Sequence, residues 1–582
     1  MNRATTRPEG VGVIMALCLA VGALHGIARG QADSCANATP IVEGVYTGTT
    51  AGATTDGAVP TACAAPSSGA DVWYSFTPYW NCMISADTCT AAGFDTVLSI
   101  HSGCPGAGGT VLACNDDWCA DTRSRVEWNA TAGVTYLIRV AGLAGATGAF
   151  TLRVQCGADA VVAGISDMDQ YGRVGGTIGA SLESPLCNLG NTPLDTVMNP
   201  DPRHPFFMFN AYRLRDGRLQ QIGQSWAKHM RGAAQETACS TACVPYPTFN
   251  ALGVNCSDTY TTATSATQAF LSPRSEINPY TGAFTYAGSF ISQNIPPASE
   301  IDRRMQLRDA DIDPAANPGA AWFAEFRVVA HDDADKMNSV GRRPFVAAGS
   351  PGGTWAFSFT GPPALGPVID AWPGATRTTI RADVLVDGRC ILAAKVTPNA
   401  DGTWHYEYAL YNHDLDRGVG SLSIPVGTAA VTNVGFYAVA SHGEAYDNVP
   451  WGSARSGRNL AWSTVPFSQD PTPNPLRWGT MYNFWFDADR APTASAAVLG
   501  LFKPGSPATL SGPVQAPAGA CVADWDGDGE VAPADLAAFV NNWFQSLAGG
   551  TLGGDFDGNG LVEPADVAAM VAAWLQAVTS GC

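Results

Sequence analysis

Lysine is nearly missing from this chain: Lys228, Lys336, Lys395 and Lys503 are the only four in 582 residues. Charged residues of all kinds make up 14% of it, against about 25% in an average soluble domain. With 51 acids against 32 bases, the formal net charge is −19. Such a chain lacks the basic footprint that sequence-independent nucleic-acid binding requires. It has no HExxH, no G-x-S-x-G elbow and no phosphate-binding P-loop. That removes the commonest short signatures of zinc proteases, α/β-hydrolases and nucleotide enzymes. Beyond the N-terminus it has no apolar run long enough to span a bilayer. Global disorder is excluded by a hydrophobic share of 46%.

What is present begins with Arg3 and Arg7, an apolar run over residues 11–24, and small residues up to 32. That order predicts a secretory signal peptide over 1–32. The expected destination is extracellular or cell-surface associated, where cysteines pair. Of 16 cysteines, eight fall in 35–156, five in 187–390, and Cys521 and Cys582 bracket the C-terminus. The odd middle group leaves one thiol over, and Cys390, remote from the other four, is the expected one. Cys239, Cys243 and Cys256 have a zinc-like spacing, but in an exported chain they are expected as disulfides.

The fold class read from periodicity is mainly β. Residues 33–156 are short alternating runs split by Gly, Thr and Ala, the pattern of a β-sandwich. Residues 157–504 show further strands, with hairpins at Asp387-Gly388 and before Trp404. They predict one large antiparallel sandwich or two packed ones, with 219–228 as an ambiguous helix. Residues 505–520 read as a Pro-rich linker. The last segment, 521–582, predicts a small all-α module.

That module repeats one unit with a period of 31 residues, DWDGDGEVAPAD from Asp524 and DFDGNGLVEPAD from Asp555. Oxygen-bearing residues at loop positions 1, 3 and 5, Gly at 6 and a carboxylate at 12 form a calcium loop. Alternate residues turn oxygens inward to meet the six to eight that Ca²⁺ takes. The predicted ligands are Asp524, Asp526, Asp528, Glu530 (backbone) and Asp535 in the first loop. In the second they are Asp555, Asp557, Asn559, Leu561 (backbone) and Asp566. Paired loop–helix units with these residues and the ending Gly581-Cys582 resemble GC-ending type I dockerin domains of planctomycete-like secreted proteins. The resemblance implies calcium as cofactor and docking on a cohesin-like or cell-surface protein. It departs from the family at loop positions 10 and 11. Pro533-Ala534 and Pro564-Ala565 stand there, where cellulosomal dockerins place hydroxyl residues for cohesin contact. A clasp between Cys521 and Cys582 is expected to close the module's ends.

The runs DVWYSFTP, DTVLSIHSGC, ACNDDWC, SRVEWNATAGVTYLIRVAG and GAFTLRV resemble a bacterial pre-peptidase C-terminal (PPC-like) domain. This is similar to the non-catalytic accessories of secreted hydrolases. Asp95, Asn115, Asp116 and Asp117 there offer oxygens for a surface calcium, or a plain solvated loop. The central region resembles only uncharacterised secreted bacterial proteins, which implies no activity. Its His204, His229, His331, His405, His413 and His442 are candidate metal ligands if gathered, with His405–Glu407 and His442–Glu444–Asp447 as local pairs. Candidate acids are Glu276, Glu325, Asp332, Asp333, Asp335 and Glu407. Trp404, Trp451, Trp462 and Trp478 are either sugar-stacking platforms or core. Taken together, these features predict a secreted, calcium-anchored protein in extracellular polysaccharide binding or degradation, with a carbohydrate-active hydrolase in the central domain one form of it. The alternative is a structural or adhesive surface protein. A groove with two facing carboxylates or a His cluster favours an enzyme, a flat aromatic strip without convergent acids favours binding, and a featureless surface favours the structural role.

Overall fold

The computed structural model describes residues 32–56, 69–78, 82–117, 122–382, 387–517, 522–525, 531–549, 554–556 and 561–580. The expected signal segment lies outside them apart from Ala32. The protein is mainly β, as the periodicity predicts, with a small helical piece at the C-terminus. No helix among the described residues is long and apolar enough to cross a membrane.

The N-terminal unit is a sandwich. Its five-stranded sheet runs Thr39–Ile41, Asp71–Phe76, Tyr136–Gly142, Thr96–His101, Val111–Asn115. Its four-stranded sheet runs Gly44–Thr49, Ala149–Cys156, Cys82–Ala92, Arg125–Ala130. Alternate side chains of both sheets, among them Tyr74, Ile84, Leu98, Ile138 and Leu152, meet in one core. Asp71 is buried beside it and holds Arg139 at 2.7 Å through Nε.

The central region is two sandwiches packed on each other. In the first, a sheet built on Thr177–Asn188 faces an eight-stranded sheet built on Phe206–Arg215, Ala321–Val329 and Val340–Ala348. In the second, Arg389–Pro398, Trp404–Asn412 and Thr480–Ala488 face Val419–Pro425, Pro492–Leu501 and Thr509–Pro517. Strand Trp404–Asn412 is buried on both sides. Tyr406, Tyr408 and Leu410 enter the second sandwich's own core. Ala409 and Tyr411 join Tyr212, Leu219, Trp372 and Met481 in a separate core between the sandwiches. Period-two alternation in this strand therefore sorts side chains between two interiors rather than between core and water.

Two expectations are corrected. The ambiguous helix over 219–228 is strand: Arg218–Gln224 pairs antiparallel with Phe206–Arg215, and Ala227–His229 follows. The turn is Asp216-Gly217, both at positive φ (50° and 83°), the geometry two-residue hairpins favour. Its alternation is hidden because Gln221 and Gln224 are buried polar residues. Most of the expected linker is also strand. Thr509–Pro517 pairs with Pro492–Leu501 over nine residues and buries Leu510, Val514 and Ala516. Pro513 inside it and Pro517 at its end sit on a strand with one paired neighbour, where a missing N–H is tolerated.

Four disulfides have both ends among the described residues: Cys35–Cys104, Cys82–Cys156, Cys187–Cys239 and Cys243–Cys256. The zinc-like triplet is thus spent on disulfides, and Cys390 is free and buried. Burial first, then the nearby Asp414 and Asp387 charges, pushes its thiol well above the usual range, so thiolate chemistry is suppressed in the fold. A thiol reagent is expected to leave Cys390 untouched in the native protein and modify it in denaturant; Cys390→Ala removes that unmasked thiol in a quantitative assay.

Candidate functional site

The tail consists of two 17-residue helices, Pro533–Gly549 and Pro564–Ser580. Each begins with proline, whose missing N–H costs nothing in a first turn. Asp535 and Asp566 fall in those first turns and are buried at 1% and 0% exposure. Each carboxylate caps its own helix start, accepting from the N–H of Ala532 and of Glu563 at 2.8 Å. Asp566 Oδ1 also accepts from Phe556 N–H at 2.7 Å. Loop position 12 is therefore bonded to the backbone of position 2. The helices are tied reciprocally. Trp543 Nε1 donates to the Glu563 carbonyl at 3.0 Å, and Trp574 Nε1 to the Ala532 carbonyl at 2.8 Å. Trp525, Phe539 and Phe556 fill the space between the loops with ring centroids 4.9–6.0 Å apart.

The donor set fits a hard dication as far as it is described: acid side chains at positions 1 and 12, and the position-7 residue Leu561. Asp526, Asp528, Glu530, Asp557, Asn559, Cys521 and Cys582 lie outside the described residues. One feature is invisible in the repeat. Arg458, from a hairpin turn of the second central sandwich, meets Asp524 at 3.1 Å, so the first loop is tethered to the body by an ion pair.

The central candidates resolve into separate places. His204 and His229 do meet, His204 Nε2 to His229 Nδ1 at 2.9 Å, and His229 Nε2 reaches Ser272 Oγ at 2.7 Å. All three are at most 2% exposed, packed against Phe206 and Phe284. Burial lowers His204 to about 4. This relay has no route to a substrate and serves as core. His413 is buried between Arg327 and the Lys336 carbonyl. His442 Nε2 donates to the Gln224 carbonyl at 2.8 Å, while Glu444 turns to Arg477. His405 does contact Glu407 at 3.2 Å and also Asp487 at 2.6 Å; the Glu407 bond leads these in favouring its charged form. Arg218 crosses from the first sandwich to Glu407 at 2.6 Å, so this group is an inter-sandwich tie.

Glu325 is fully buried between the sandwiches. Its Oε1 accepts from Asn210 (2.9 Å), Tyr212 (3.0 Å) and Tyr411 (3.2 Å), and its Oε2 from Val368 N–H (2.7 Å). It is a structural acceptor rather than a general acid. Glu276 is capped by Phe290 N–H at 2.7 Å. Trp451, Trp462 and Trp478 are at most 4% exposed and are core, and Trp404 is half-buried.

One grouping had no local signal. Asp195, His331 and Asp332 each bring a ligand atom within 4.8 Å of the others, across 136 residues of chain. Burial opposes the His331 charge, but the bond to Asp195 and the charge of Asp332 outweigh it and raise its pKa. With Arg203 3.5 Å from Asp195, the group works as an ion-pair relay. In the N-terminal unit, Asp116 and Asp117 add their repulsion to desolvation in raising Asp95, and Asn115 is used by the Arg125 N–H and the Asp117 carbonyl.

The concavity with the chemistry of a ligand site is a small cleft between the sandwiches, with a cavity volume of about 20 Å³. Arg274, Arg417, Arg477 and Lys503 line it with Tyr446 and Trp478, and its one acid, Asp416, is paired with Lys503 at 3.0 Å. Arg477 stacks on Tyr446 at 4.4 Å. Its side chain is 10% exposed, and its Nε and Nη2 have no acceptor. The cleft can hold an anion against an aromatic wall. It does not present the two facing carboxylates of a glycosidase.

No protein-family model matches this chain, and no curated protein matches it. A solved glycosyl hydrolase family 2 member from Bacteroides cellulosilyticus is similar over 50% of this chain and 29% of its own length, at 7% identity and a TM-score of 0.17. A likeness that slight carries no argument about fold or activity.

Glu325 separates the structural from the catalytic role. Glu325→Ala leaves four donors facing a void and is expected to cost about 3–5 kcal/mol of stability. Glu325→Gln keeps the volume but sets an amide against one donor, at about 1–3 kcal/mol. Urea denaturation checks both.

Proposed function

We propose that this is an exported protein that binds two calcium ions in its tail and is anchored through that module while its body holds a polysaccharide. The observation that carries the reading is the buried Asp566 accepting from Phe556 N–H, with the two helices joined by reciprocal tryptophan bonds. That is the arrangement a pair of EF-hand-like loops needs before an ion can be caged. Nine acids and no Lys or Arg follow Lys503, so within the tail itself a dication is the natural counter-charge. When bound, calcium supplies charge neutralisation and a fixed loop shape. Asp524, Asp535, Asp555, Asp566 and the Leu561 carbonyl would hold it, with Asp526, Asp528, Glu530, Asp557 and Asn559 completing the sets.

The dockerin-like pattern supports a cohesin-like or cell-surface partner for the tail. The PPC-like sandwich supports an accessory role for the N-terminal unit, and the disulfides are compatible with an extracellular site. For the body, the cationic, aromatic cleft favours binding over hydrolysis. Its guanidinium groups are complementary to a sugar bearing a carboxylate or sulfate ester, and a ligand reaches the buried Arg477 Nε and Nη2 only if the side chain shifts.

A chelator is expected to remove helical circular dichroism and restored Ca²⁺ to return it, with Asp535→Asn and Asp566→Asn each losing one tail ion by titration. Unchanged helicity in chelator removes the calcium reading. For the body, acidic polysaccharide should be retained in affinity electrophoresis and neutral glucan should not. Arg477→Ala is expected to weaken retention by about 10- to 100-fold, the worth of a lost charged hydrogen bond; equal mobility with every polymer leaves the structural or adhesive role.

A further inference from the structure

We propose that a calcium ion sits between Asp159, Asp333 and Asn338, where the N-terminal sandwich hands over to the first central one. Asp159 precedes strand Ala160–Val162, and Asp333 and Asn338 lie in the loop joining Ala321–Val329 to Val340–Ala348. Backbone and side-chain bonds fix these two segments together. Ala334 N–H donates to the Ala158 carbonyl at 2.8 Å, and Val162 N–H to the Asn338 carbonyl at 3.2 Å. Ala160 N–H donates to Asp333 Oδ1 at 3.0 Å, and Asn338 Nδ2 to Asp159 Oδ1 at 2.9 Å.

Asp159 and Asp333 are 5% and 1% exposed. After these bonds, Asp333 Oδ2 and Asn338 Oδ1 are both buried without a donor. A buried carboxylate oxygen left unpaired is among the costlier defects a fold can carry. Two such oxygens lie on side chains bonded to the consecutive residues Asp159 and Ala160, and both lack an electropositive partner.

The charges agree. Besides desolvation, the negative charges of Asp333 and Asp335 act on Asp159, and those of Asp335 and Asp332 on Asp333. Lys336 is the opposing cation in the loop, and its Nζ bonds the Asp333 carbonyl at 3.2 Å rather than the carboxylate. Lys336 bears on Asp333 and Arg153 on Asp159, so two cations stand against Asp159, Asp332, Asp333 and Asp335, an acidic excess that a dication offsets. The donors are all oxygen, two carboxylates and an amide, which selects a hard ion such as Ca²⁺ over zinc or copper. The Asp195–His331–Asp332 group beside it contains a nitrogen donor and an arginine, and is not part of the site. The competing occupant is a proton shared by Asp159 and Asp333.

The test counts calcium on the full chain by mass spectrometry after gel filtration in Ca²⁺ buffer. Three ions per chain are expected. Removing the tail sites with Asp535→Asn and Asp566→Asn should leave one, and adding Asp333→Asn should leave none while the far-ultraviolet spectrum stays β. Should Asp333→Asn fail to fold, Asn338→Ala removes the amide oxygen together with the Nδ2 that bonds Asp159; terbium luminescence should then report about ten-fold weaker binding. The proposal is overturned if the tail-disabled protein binds no ion, or if its ion survives both changes. It is also overturned if Asp333→Asn stabilises a calcium-free body, the signature of a shared proton. A tail that binds nothing beside a body ion sensitive to Asp333→Asn would leave this site standing and remove only the tail reading.

Discussion

A carboxylate out of reach of water, Glu325, sets the terms for the central body. A buried charge is tolerated only when its oxygens are met by well-placed donors. Here Asn210 and Tyr212 come from the strand beside it, Tyr411 from the other sandwich, and Val368 from the segment that crosses between them. Sliding either sandwich would strip donors from the charge. The surrounding polar ties follow the same rule. Arg327 reaches Tyr411 and His413, Asn483 reaches the Leu219 carbonyl, and Trp372 reaches the Gly217 carbonyl. The apolar core between the sandwiches provides adhesion, and this network fixes which registration of the two sheets is allowed. The cleft between them inherits that fixed geometry.

The same constraint explains why so many chemically capable residues have no catalytic part. His405, Glu407, His413 and Glu325 all lie on faces that would be solvent-exposed if each sandwich stood alone. Packing the two together turned those faces inward, and polar side chains there had to find each other. The ionisable residues scattered along the central sequence are what a polar inter-sandwich surface looks like when read in one dimension.

Legibility followed locality. The N-terminal strands, the hairpin before Trp404, the unpaired Cys390 and the tail repeat were readable because their signals lie within a few residues or recur at a fixed period. Arg218–Gln224 was not, since Gln221 and Gln224 are polar on a buried strand and masked the alternation. Thr509–Pro517 was not, since proline and glycine spoke for a linker while Leu510, Val514 and Ala516 kept a strand's period. In the candidate site, the repeat displays the loop ligands, but the Arg458 tether to Asp524 joins residues 66 apart in different units. Asp195 with His331, and Asp159 with Asp333, are likewise joined only by topology. Side chains that touch through the fold leave no spacing for a sequence to show.

Absorbing the linker into a strand has a mechanical consequence. Pro517 is pinned in the sheet and Asp524 is the first loop residue, so seven chain steps separate the body from the tail. At no more than about 3.6 Å per residue, that leash spans roughly 25 Å. A partner that grips such a tail also sets the bearing of the body. The body can therefore swing about its tail only within that short radius.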